Sequence, residues 1–74
     1  MAIHRIKSLV TGTVWKSECR AGQAAGEGDV LMILESMKME IPMEAPVAGM
    51  LRELLVAEGE AVTEGQVLAV WVSA

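Results

Sequence analysis

Apolar residues in this chain recur in short runs broken by glycine and proline, a pattern that reads as strands rather than helices. Residues 13–20 mix β-branched and polar side chains and stop at Ala21-Gly22, a turn signal. Gly26-Glu27-Gly28-Asp29 punctuates the chain before the run Val30-Leu31-Met32-Ile33-Leu34. Ile41-Pro42 and Ala45-Pro46 argue against helix in the next stretch, because each proline removes a donor and biases its predecessor toward extended backbone. Pro46-Val47-Ala48-Gly49 then leads into a strand over 50–57, and Gly59 and Gly65 bracket the approach to a last strand over 66–72. Two stretches resist this reading. Residues 51–58 alone would suit a short helix, and pattern alone runs a strand straight through 35–40 without a turn.

An internal repeat settles the first of these. At an offset of 37 residues, Val10 meets Val47, Gly12 meets Gly49, Gly22 meets Gly59 and Gly28 meets Gly65. Ala24/Ala61, Glu27/Glu64, Val30/Val67, Leu31/Leu68 and Ser36/Ser73 also match, giving nine identities over the 28 aligned positions 10–37 and 47–74. That is well above chance, so the two halves are copies of one supersecondary unit. Residues 51–58 are then strand, because their partners at 14–21 read as strand. The glycines recur with the same spacings of ten and six in both copies. Such recurrence predicts positions with φ > 0 or close chain approach, where a Cβ would clash. Each half is expected to cover the apolar face of the other in a pseudo-twofold domain spanning 1–74.

Composition narrows the function classes. The chain is 53 % apolar yet has no Phe or Tyr, so its core must come from aliphatic side chains, methionines and the two tryptophans, Trp15 and Trp71. Met32, Met43 and Met50 read as ordinary core or rim residues. Cys19 is the only cysteine, which excludes an internal disulfide and suits a cytoplasmic setting; it reads as a buried, inert thiol. Net charge is −4 with no run of Lys or Arg, so no basic face for nucleic acid is expected. No apolar run approaches the ~20 residues of a membrane helix, and Arg5 and Lys7 interrupt any leader-like segment. No metal-ligand cluster, phosphate-cradling loop or nucleophile–base pair is evident.

The stretch that carries chemistry is Glu35-Ser36-Met37-Lys38-Met39-Glu40, at the junction of the two copies. Lysine amines are protonated at neutral pH, and lysines that act as nucleophiles on their own are activated by desolvation or by a neighbouring cation. Lys38 has carboxylates nearby instead, which favour the charged form. It therefore suits a substrate presented to another enzyme better than a self-activated nucleophile. Glu-Ser-Met-Lys-Met closely resembles the attachment signature of the biotinyl/lipoyl domain family, the likeness running from about Ile6 to Val72 and being closest to small free-standing biotin carboxyl carrier proteins.

That resemblance implies an all-β fold: a flattened β-barrel, or barrel-sandwich hybrid, of two four-stranded antiparallel sheets. The equal length of the two copies leaves no room for the thumb insertion of some bacterial carriers. It also implies that Cys19 lies on a strand and that Met37-Lys38 forms a hairpin tip, although neither residue is a natural turn former. Lys38 would carry biotin in amide linkage, with Glu35, Ser36, Met37, Met39 and Glu40 as the recognition surface around it. The implied partners are a biotin protein ligase, a biotin carboxylase and a carboxyltransferase, with the carrier itself non-catalytic and monomeric when isolated. Methionine at residue 1 suggests a free-standing carrier. Two alternatives stay open: a lipoyl carrier of a 2-oxoacid dehydrogenase-type complex, whose members typically place Asp before the lysine and Ala after it, and an unmodified interaction module of the same fold.

Overall fold

The computed structural model describes residues 2–74. Its elements are β1 (Ile3–Lys7), β2 (Gly12–Ser17), β3 (Ala24–Ala25), β4 (Val30–Ser36), β5 (Met39–Glu44), β6 (Gly49–Leu54), β7 (Ala61–Val62) and β8 (Val67–Ser73). All are strands; no helix occurs among the described residues. Two four-stranded antiparallel sheets result, one in the order β1-β8-β6-β3 and the other β5-β4-β2-β7. They form a flattened body of 35 × 18 × 16 Å. The segment 51–54 is strand, as the repeat requires.

Advancing each strand of the first sheet by four turns its order into that of the second, so the sequence repeat is also a structural one. The correspondence reaches irregularities. A register shift between Val14 and Lys16 in β2 recurs between Leu51 and Glu53 in β6. Gly22 N–H donates to the Leu51 carbonyl, and Gly59 N–H donates to the Val14 carbonyl, tying each half to the other. The core pairs off likewise: Val14 with Leu51, Leu31 with Leu68, Met32 with Ala69 and Leu34 with Trp71, each nearly fully buried. The repeat also continues outside the aligned identities. β1 and β5 occupy equivalent edges, and their buried residues Ile6 and Met43 correspond at the same offset.

Both kinds of special glycine predicted from the spacing occur, at different positions. Gly22, Gly28, Gly59 and Gly65 have φ of 86–90°, at the turns. Gly12 and Gly49 are not in turns. Each starts a strand, where a Cβ would run into a neighbouring backbone: the Glu35 carbonyl at Gly12, and the Val72 carbonyl at Gly49. The expected strand position of Cys19 is corrected. Pairing of β2 with β4 ends at Ser17↔Met32, and Cys19 follows in the connection, buried but outside the ladder. Its burial raises the thiol pKa, partly offset by a hydrogen bond to the Arg20 carbonyl. Of the other methionines, Met32 and Met43 are core and Met50 is at the rim.

Candidate functional site

β4 and β5 are the longest-paired neighbours of their sheet, running from Val30↔Glu44 through a register shift to an unbroken register from Met32↔Met43 to Ser36↔Met39. Ser36↔Met39 leaves two residues to reverse the chain, and those are Met37 and Lys38. Two-residue reversals between right-twisted strands favour turns with positive φ, at both positions in type I′. Met37 has φ 49° and Lys38 φ 68°, the only non-glycine residues with positive φ among those described. Pattern alone would have carried the strand through; the tip expected from the resemblance is what forms.

The left-handed turn puts both apex side chains into solvent. Met37 is 93 % exposed, Met39 64 %, and Lys38 is exposed as well. The only ion pair among the described residues joins Lys16 and Glu18 at 3.3 Å, so no carboxylate is held against Lys38. Glu35 and Glu40 are direct cross-strand partners, both exposed. Like charges in that relation are destabilising. They leave a negative band one residue pair below the turn, on the outer face of the sheet.

The base of the hairpin is anchored by residues that sequence reasoning did not single out. The Ser36 hydroxyl donates to the Thr11 carbonyl at 3.0 Å, and the Thr11 hydroxyl accepts from Glu64 N–H at 3.0 Å. Gly12, directly after Thr11, lets β2 lie against the Glu35–Ser36 backbone. Thr11 carried no signal, being paired with Ala48 in the repeat and lying in a connection. Of the six residues expected at the site, Ser36 is half-buried and structural, and the other five are exposed around the turn. A rigidly based hairpin with one free amine at its apex can present that amine to a second macromolecule. Among the described residues no carboxylate is paired with that amine. Those features suit an acyl cofactor joined through an amide.

The chain matches the family described as Biotin-requiring enzyme over residues 4–71. It is 44 % identical over 59 residues to a biotin/lipoyl attachment protein of Bacillus subtilis, covering 80 % of this chain and 81 % of that one. It is 38 % identical over 65 residues to a biotinylated protein TB7.3 homolog of Mycobacterium leprae, covering 88 % and 92 %. Among solved structures, a single-chain, multi-domain long-chain acyl-CoA carboxylase superposes with a TM-score of 0.92 at 29 % identity, over 97 % of this chain and 7 % of that one.

Proposed function

The chain belongs to the biotin/lipoyl attachment family, and from that premise we propose that it is a biotin carboxyl carrier with Lys38 as its attachment residue. The observation that carries the reading is the turn itself. Met37 and Lys38 hold a conformation that glycine or asparagine would hold more easily, in a five-residue stretch that reads Glu-Ser-Met-Lys-Met. Strain at a defined place is expected where side chains are needed for a task.

In this proposal Lys38 Nζ attacks the acyl carbon of an activated biotin supplied by a biotin protein ligase. An amide forms, the activating group leaves, and the proton passes to the ligase. Bound biotin supplies a ureido ring able to accept a carboxylate at a biotin carboxylase and give it up at a carboxyltransferase. The chain's own part is positional. The β4–β5 pairing holds the turn, Ser36 fastens its base to Thr11, and the exposed Met37 and Met39 flank the amine as adaptable apolar contacts for partner sites. The domain performs neither half-reaction. Lipoyl attachment is the second reading, supported by the name of the Bacillus relative; Met37 and Met39 in place of Asp and Ala favour biotin.

Coexpression with a biotin protein ligase, followed by peptide mass spectrometry, tests the assignment. One biotin is expected on Lys38, with none in Lys38→Arg, which keeps the charge and the fold. Biotin on Lys7 or Lys16, or labelling that persists in the variant, would overturn it. A lipoyl ligase run in parallel separates the two cofactors.

A further inference from the structure

The pseudo-twofold makes β1 and β5 equivalent edges of their sheets, yet the two edges are finished differently. Ser73 N–H donates to the Ala2 carbonyl, in the same register as His4↔Trp71 and Ile6↔Ala69. Bonded pairs alternate along an antiparallel ladder, so the backbone groups of Ile3 and Arg5 point away from β8. After the register shift, Ser8 N–H donates to the Gln66 carbonyl, which leaves Lys7 pointing outward too. No other strand among the described residues covers this edge. On β5 the residue equivalent to Arg5 is Pro42, which has no N–H to offer and closes that edge to a further strand. The flanking charges are opposite as well: Arg5 and Lys7 on β1, Glu40 and Glu44 on β5.

An open groove of about 520 Å³ runs along β1, lined by the whole strand together with Glu44 and Pro46. Three of its lining residues are His4, Arg5 and Lys7, on a chain whose net charge is −4. Neither Arg5 nor Lys7 has an ion-pair partner among the described residues, since Lys16–Glu18 is the only pair there.

We propose that the open edge of β1 is a docking site for an extended acidic segment of a partner protein, which adds as a fifth strand beside Ile3, Arg5 and Lys7. Main-chain hydrogen bonds to the outward groups supply affinity, and acidic side chains meeting Arg5 and Lys7 supply selectivity. A second copy of this chain is excluded as the occupant by the same residues. Two antiparallel β1 strands centred on Ile6 would set Arg5 of each copy against Lys7 of the other, and pairing with β5 would meet Pro42. The groove lies at the Glu44 end of β5, away from the Met37–Lys38 turn, so the proposal is independent of which group Lys38 carries.

The test is an amide chemical-shift titration of the full chain carrying Lys38→Arg, so that modification plays no part. The probe is a short soluble peptide alternating Glu and Val, with a Lys–Val peptide as control. The largest shifts are expected at Ile3, Arg5 and Lys7, with saturation by the acidic peptide alone. Arg5→Pro copies the β5 edge and removes one outward N–H; at least tenfold weaker binding is expected. Arg5→Glu with Lys7→Glu should weaken binding as much with the ladder intact, which keeps the test decisive if Arg5→Pro disturbs the fold. Equal binding by the Arg5→Pro variant with its fold intact would overturn the proposal. So would shifts centred elsewhere, no shifts at millimolar peptide, or the same pattern from a polyphosphate, which would make the strand a simple anion patch.

Discussion

Left-handed backbone occurs in two settings in this molecule, and the residues chosen for them are opposite. The turns at Gly22, Gly28, Gly59 and Gly65 have φ near 90° and carry no side chain. The turn at Met37 and Lys38 has φ of 49° and 68° and carries two long, exposed side chains. Placing a Cβ in this region costs about 1–2 kcal/mol per residue. The glycine turns only reverse the chain, so nothing offsets that cost and glycine is retained in both copies. The apex has to present something, and the β4–β5 ladder and the Ser36–Thr11 bond hold it in a conformation that its own residues disfavour.

The scaffold side of this contrast is most sensitive where glycine serves for space rather than for φ. A Cβ at Gly12 meets the Glu35 carbonyl, and one at Gly49 meets the Val72 carbonyl with Trp71 Nε1 at 2.9 Å. Backbone is on the other side of each clash, so neither can give way cheaply. Gly12→Val and Gly49→Val should each destabilise the domain by about 3 kcal/mol, lowering Tm by roughly 12–24 °C. Thermal melts of the two variants check this. A large loss in one and none in the other would mean that the halves do not share their packing.

The apex side sharpens the contrast in the other direction. Met37→Asn with Lys38→Gly installs the pair that two-residue hairpins prefer. Relief of strain should outweigh the added freedom of the unfolded chain, for a net gain of about 1 kcal/mol. The same variant should accept no biotin. Urea denaturation alongside intact mass would show stability and function moving apart. A variant no more stable than the parent would mean that the observed turn stores no strain.

These regions also differed in how far they could be read from the chain. Glycines and aliphatic residues matching at an offset of 37 located four of the eight strands, β2, β4, β6 and β8, and overruled a helix at 51–58; the two-residue strands β3 and β7 are too short to leave a pattern. β1 and β5 escaped, because 3–7 and 40–44 share no identities; what the two strands have in common is burial of Ile6 and Met43. Strand ends were overshot at 18–20 and 55–57, since pairing stops at Ser17 and Leu54, two residues past the bulges at Trp15 and Arg52. The turn at Met37 and Lys38 was legible only through family resemblance, since local propensity argues against it. The anchoring of Ser36 to Thr11 spans 25 residues and depends on which strands are neighbours. No local pattern encodes that.

The smallest expected effect lies where the two halves differ by one buried atom type. Cys19 corresponds to Val56, and both are buried just beyond their strands. Burial raises the Cys19 thiol above its ordinary pKa, so the folded state favours the protonated form. Below the unfolded thiol's pKa both states are protonated and the preference is without consequence for pH dependence. As pH rises past it, the unfolded chain ionises first and is stabilised, so folding stability falls until the folded thiol also ionises. Cys19→Val copies the other half and removes that step. Its stability at pH 7 should lie within about 1 kcal/mol of the parent, and the difference between the two should shift in the variant's favour between pH 7 and pH 9.5. Denaturation midpoints at the two pH values measure it. A difference that stays constant would show the thiol ionising as readily in the fold as in the open chain, and would remove Cys19 from the sealed core.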